Sequence, residues 1–248
     1  MRVATSRVRL DVALVERGLA PSRERARALI IAGQVSVNGQ VVSKAGTPVA
    51  LDARVELATA DHPYVSRGGI KLAGALDAFR IDPAGRRALD IGASTGGFTD
   101  VLLQRGASSV VALDVGHGQL DWRLRTDPRV IVREGVNARG LSKDDVPYAP
   151  DLATIDVAFI SLRHILPPLR ALLAPGADVV ALVKPQFEAG RDEVGRRGIV
   201  SDPAVHEAVL AGITTAATLA GFERIAMAPA AIAGATGNQE FFLHLRLR

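Results

Sequence analysis

The stretch Ala88–Leu103, ALDIGASTGGFTDVLL, narrows the folds open to this chain more than any other. An apolar segment ending in Asp90 and Ile91 meets Gly92, Gly96 and Gly97, then passes into apolar spacing that fits a helix. Glycines at such a turn let the backbone bend sharply and pass close to a ligand, the pattern of a strand–turn–helix unit in an α/β sheet. The spacing is G-x-x-x-G-G, not the G-x-G-x-x-G of a pyrophosphate-binding dinucleotide site. Glycines can also stand at such a turn for packing alone, so the motif needs company.

Company comes downstream. Arg87–Ile91, Ser109–Asp114, Val130–Glu134, Leu152–Asp156, Val179–Val183 and Arg224–Met227 read as strands, with a final strand opening at Glu240 in EFFLHLRL. Thr99–Gln104, Arg163–Leu173 and Pro203–Ala220 read as intervening helices. This alternation predicts a Rossmann-like α/β domain with a mostly parallel, seven-stranded sheet. Carboxyl ends of strands in such sheets face the ligand crevice, so Asp156 and Lys184 are expected to converge there. Asp114 ends the second strand, where a carboxylate can accept both hydroxyls of a ribose. Together with the glycine spacing it favours S-adenosylmethionine over a nicotinamide cofactor. The expected cradle is Asp90, Gly92, Ala93, Ser94, Thr95, Gly96, Gly97, Phe98, Asp114, Val115 and Asp156.

Composition removes several alternatives. The 248 residues include no cysteine, which excludes a disulfide framework, a thiolate metal site and a cysteine nucleophile. No metal site is expected. Leu169–Val183 comes nearest to a membrane span, but Arg170, Pro175, Gly176 and Asp178 interrupt it. Asp11, Glu16 and Arg17 fall where a signal peptide needs an unbroken apolar run, so the expectation is a cytoplasmic protein without membrane association.

The first sixty residues form a separate pattern. Leu10, Val12, Ala13, Leu14 and Leu19 fit a short helix ended by Gly18, and Ser22 is a fitting N-cap for a second helix over Arg23–Ala32. Strands Gln34–Val37 and Gln40–Val42 flank Asn38-Gly39, a two-residue hairpin signal, and Arg54–Leu57 supplies another strand. Through residue 62 there are nine basic and six acidic residues, most of the chain's net charge of +4. Arg7, Arg23, Arg25, Arg27 and Lys44 can neutralise phosphates, although charge alone fits a solvated helix face equally well. The expected division is 1–60 for this small α+β domain, 61–67 for a linker containing Pro63, and 68–248 for the α/β domain.

LDVALVERGLAPSRERARALIIAGQVSVNGQVVSKAGTPV resembles the S4 RNA-binding domain, which implies an RNA partner. Lys71 in SRGGIKL, Asp156 in IDVAFIS, Lys184 in KPQFE and Glu240 in GNQEFF form a Lys–Asp–Lys–Glu set resembling the FtsJ-like ribose 2′-O-methyltransferases. With DIGASTGGFTD and DVGHGQL, nearly the whole chain resembles the TlyA family, also called the hemolysin A family. The resemblance implies S-adenosylmethionine as cofactor and methylation of cytidine 2′-hydroxyls in 23S or 16S ribosomal RNA of the ribosomal subunits. Lys184 is then the residue at the attacking hydroxyl, with Lys71, Asp156 and Glu240 holding it and the ribose. Arg67, beside Lys71, and Arg191, Arg196 and Arg197, in a loop after Lys184, join the RNA-binding candidates. Ala158 stands where the family often has serine, and the chain stops at Arg248, soon after its last strand, which favours the large subunit.

Other readings fare worse. The hemolysin name raises a membrane-active protein, but no signal peptide, spanning helix or strongly amphipathic basic helix supports it. A non-catalytic RNA-binding scaffold would have no use for the lysine–carboxylate set. S4 domains also precede some pseudouridine synthases, yet Arg87 is followed by alanine, so their Arg-Leu-Asp tripeptide is absent.

Overall fold

A computed structural model describes residues 7–31, 33–57 and 62–248, and the chain divides into two compact units between Pro63 and Tyr64. Within the expected linker, residues 64–67 already belong to the second unit: the Val65 N–H donates to Asp100 Oδ2 at 2.8 Å.

The first unit runs β1 (Arg7–Arg9), α1 (Leu10–Glu16), α2 (Arg23–Ile31), β2 (Val35–Val37), β3 (Gln40–Val41), β4 (Pro48–Ala50) and β5 (Val55–Leu57). Ser22 caps α2, its Oγ accepting from the Arg25 N–H at 3.2 Å, and Ala32 lies outside the described residues. Asn38 and Gly39 both adopt positive φ, 51° and 80°, the requirement of the tight hairpin that pairs β2 with β3. Leu10, Leu14, Ala26, Ile30, Val35 and Val49 close the core between the helices and the short strands. The β1–β4 pair is an addition to the expected elements. Three-residue strands carry too little alternation to stand out in sequence.

The second unit runs α3 (Gly68–Phe79), β6 (Arg87–Ile91), α4 (Gly97–Gln104), β7 (Ser109–Asp114), α5 (Trp122–Arg125), β8 (Val130–Glu134), β9 (Leu152–Ile155), α6 (Leu166–Arg170), β10 (Asp178–Val183), α7 (Pro185–Glu188), α8 (Pro203–Leu219), β11 (Phe222–Pro229) and β12 (Phe241–Leu247). Its seven-stranded sheet has the order β11-β12-β10-β9-β6-β7-β8 and is parallel except at β12, which is antiparallel to both neighbours. Period-two alternation sorts side chains to two apolar layers. Val179, Ala181 and Val183 of β10 join Leu166, Leu169, Val209 and Ile213 from α6 and α8. Val180 and Leu182 join Leu72, Leu76, Phe98 and Val101 from α3 and α4.

The helix expected over Arg163–Leu173 is divided. Leu162–His164 forms a 3-10 turn capped by Ser161, and α6 restarts at Leu166. Pro167 and Pro168 have no N–H to donate, so they are tolerated only in the first turn of a helix and force that restart.

Candidate active site

The glycine turn comes first. Gly92 has φ +84°, and a Cβ there would lie 2.2 Å from the Asp156 carbonyl oxygen, so β6 and the segment after β9 approach in a way only glycine permits. Gly96, with φ +98°, caps α4, and a Cβ would strike Leu124. Packing therefore fixes the glycines as much as any ligand does. Gly96 lines neither of the cavities that flank the turn, and its packing against Leu120 and Leu124 accounts for a glycine there.

Two cavities share Gly92, Ser94 and Asp156. The first is lined by Arg67, Lys71, Ala93, Thr95, Gly97 and Phe98, with Ala233 and Ala235 from the loop after β11. The second, about 600 Å³, is lined by Asp114, Val115, Gln119, Asn137, Ala138, Lys184 and residues 157–160. Asp114 braces the junction. Its Oδ2 accepts from the Ser94 N–H at 2.8 Å and its Oδ1 from the Gly116 N–H at 2.7 Å, while Ser94 itself takes φ 48°. Each carboxylate oxygen retains a further lone pair for a hydroxyl.

Asp90 sits deeper than the rest of the expected cradle. It lines neither cavity and is fully buried, accepting from Thr99 Oγ1 at 2.7 Å and Thr154 Oγ1 at 3.0 Å. Alternation explains this: Asp90 follows Ala88 onto the face covered by α4, not toward the strand end. Burial pushes its carboxyl up to about 6, against the opposing pull of the threonine hydrogen bonds.

The four scattered polar residues form two ion pairs. Lys184 Nζ lies 2.6 Å from Asp156 Oδ1, and Lys71 Nζ donates to Glu240 Oε2 at 2.6 Å. The first is an ion contact without hydrogen-bond alignment, for Asp156 Oδ1 is a buried acceptor with no hydrogen bond. Topology brings them together. Lys184 and Asp156 directly follow the parallel neighbours β10 and β9, and the antiparallel β12 begins where those strands end, with Phe241 opposite Val183. Glu240 is therefore delivered to the same end of the sheet, buried behind Lys71. Lys71 thus pairs with Glu240, where the sequence had both holding Lys184.

The basic candidates separate by setting. Asp11 is buried under a shell of arginines, accepting from Arg9 at 3.0 Å, Arg23 at 3.1 Å and Arg27 at 3.2 Å. The Arg9 guanidinium foremost, with Arg23 and Arg27, holds its carboxyl well below the usual range despite burial. Three guanidiniums on one carboxylate leave a positive surface of fixed geometry. Arg9's place in it, and Asp11's beneath it, were not singled out from sequence. Arg7 and Lys44 are exposed in the same unit and Arg25 is half-buried there; Arg67, Arg191, Arg196 and Arg197 are exposed in the second. Sequence reasoning did not name Asn137, Ala138 and Gln119 on the second cavity: Asn137 and Ala138 open a short 3-10 turn without periodic signal, and Gln119 lies inside the DVGHGQL motif.

The donor set fits a cationic, ribose-bearing cofactor: two carboxylates, Asp114 and Asp156, line one cavity. Among the described residues no group of acidic or histidine side chains could hold a metal ion.

Comparison with known proteins agrees with this geometry. Residues 64–247 match the FtsJ-like methyltransferase model and residues 8–55 the S4 domain model. The 16S/23S rRNA (cytidine-2′-O)-methyltransferase TlyA of Mycobacterium tuberculosis is 47% identical across 97% of this chain and 90% of its own. Hemolysin A of Brachyspira hyodysenteriae is 39% identical across 96% of this chain and 99% of its own. A solved structure of a protein described as a hemolysin from Streptococcus thermophilus matches with TM-score 0.77 and 44% identity, covering 98% of this chain and 90% of that one. A match of this length and of both domain types together leaves one assignment: the chain belongs to the TlyA family, FtsJ-like methyltransferases preceded by an S4 domain.

Proposed function

We propose that the protein methylates the ribose 2′-hydroxyl of a cytidine in ribosomal RNA, with S-adenosylmethionine as donor and the cytoplasm as its place of action. The observation that carries this reading is the meeting of two lysine–carboxylate pairs beside the glycine turn. The cofactor supplies an electrophilic methyl group on a cationic sulfur. Asp114 would hold the hydroxyls of its ribose, and Ala93, Ser94, Thr95, Gly97 and Phe98, which line the first cavity, would hold its amino-acid part. Asp156 lines both cavities and would offer negative charge to the sulfonium.

Lys184 Nζ, drawn toward Asp156, donates to the attacking 2′-oxygen and stabilises the charge that develops there. The departing proton passes to the Asp156 carboxylate, which lines both cavities. Lys71, locked to Glu240, contributes a fixed positive charge on the first cavity. Rate enhancement would then come mainly from these residues positioning the attacking hydroxyl toward the donor. The N-terminal unit, with Arg9, Arg23 and Arg27 set on Asp11, grips phosphates, and the exposed Arg67, Arg191, Arg196 and Arg197 add to that grip.

The test is transfer of tritiated methyl groups to 50S and 30S subunits lacking the modification, followed by mapping of 2′-O-methyl positions. Label on one cytidine ribose supports the proposal; no label on either subunit, or label on a base, refutes it. A vesicle-leakage assay with the same preparation tests the membrane-active reading that hemolysin-named relatives invite.

A further inference from the structure

We propose that Glu188 is a positioning residue that fixes the loop bearing Asp156 against the segment bearing Lys184; the inference rests on the function proposed above. The sheet cannot do this by itself. The ladder between β9 and β10 ends at the pair Ile155–Ala181, so residues 156–161 and 184–188 lie beyond its last rung. Glu188 crosses that gap. Its Oε2 accepts from Ser161 Oγ at 2.5 Å and its Oε1 from the Leu162 N–H at 2.8 Å. Ser161 Oγ in turn accepts from the Arg163 N–H at 3.2 Å, which anchors the loop to the 3-10 turn that follows.

The loop needs an anchor. Phe159 holds φ 62°, a conformation that costs a bulky L-residue free energy and persists only where its surroundings impose it. The Asp156 carbonyl is pressed against Gly92, so a small shift of the loop would disturb the glycine turn as well. Three contacts tie the two segments: the Asp156–Lys184 ion pair, the Phe159–Phe187 ring contact at 5.0 Å, and the Glu188 clamp. Two of these use residues that line the second cavity, Asp156 with Lys184 and Phe159, all placed to meet ligand. Glu188 lines neither cavity, so it can be altered without removing a group from the site. Burial raises its carboxyl above the ordinary glutamate value, and a clamp built on hydrogen-bond acceptance does not need its charge.

The experiment compares Glu188→Ala, Glu188→Gln and Ser161→Ala as full-length proteins in methyl transfer to ribosomal subunits, with thermal melting to establish folding. The amide of Glu188→Gln can accept from Leu162 and donate to Ser161 Oγ, so this variant retains at least half of kcat. Glu188→Ala loses about tenfold or more in kcat, with KM for the subunit within about threefold. Ser161→Ala, which removes one bond, falls between. Wild-type kcat in Glu188→Ala, or equal loss in Glu188→Gln, overturns the proposal. Should Glu188→Ala fail to fold, an unimpaired Ser161→Ala overturns it instead. A wild-type protein without methyl transfer refutes the underlying function, a result distinct from any pattern among the variants.

Discussion

Asp90→Asn gives the sharpest test of how the interior of the site is built. The wild-type carboxyl moves from 3.8 to about 6 on folding because it is fully buried. Between those values the native state binds a proton that the unfolded chain releases, so stability falls as pH rises. The difference of about 2 units is worth about 3 kcal/mol at 1.36 kcal/mol per unit. This cost is absent below about pH 4 and complete above about pH 6. Asparagine does not titrate, yet it can accept from one threonine hydroxyl and donate to the other. Urea unfolding of both proteins from pH 4 to 8, followed by circular dichroism, therefore yields a stability difference that shifts by about 3 kcal/mol in favour of the variant across that window, then levels. A difference that stays flat, or that shifts the other way, refutes the burial argument. Because Asp90 lines neither cavity, calorimetry on the variant should give an S-adenosylmethionine Kd within about threefold of wild type. A larger loss would show that Asp90 belongs to the cradle.

Other outcomes follow from the same geometry. Lys184→Ala should abolish methyl transfer while cofactor binding persists in calorimetry; normal turnover would remove Lys184 from the mechanism. Asp114→Ala removes a charged acceptor and should raise the cofactor Kd by about tenfold to a hundredfold, read by the same titration. Arg23→Gln should weaken RNA binding and reduce the salt slope of the affinity by about one, measured by filter binding at several salt concentrations.

Much of the catalytic unit was legible because its strands are long apolar runs and its turn is glycine-rich, features that sequence periodicity reports directly. The convergence of Asp156 and Lys184 followed from the rule that strand ends face the crevice. Glu240 was reached only through its motif, because β12 runs against its neighbours and nothing local announces that direction. The interior placement of Asp90 depended on which face of β6 it occupies, and residues 88–91 are too uniformly buried for alternation to show in the sequence. The pairing of Lys71 with Glu240, and the three arginines on Asp11, are tertiary facts. Side chains 169 and 16 positions apart meet there, at separations on which local spacing is silent.

The reversed strand β12 also ties the sheet together. It is last in sequence yet lies inside the sheet, and β11 joins the rest only through it. Until residues 241–247 slot between their neighbours, both apolar layers stay unsealed and Lys71 has no counterion from Glu240. Such distant closures are slow steps in folding. A methyl donor that binds only the finished cradle would stabilise the closed sheet by mass action.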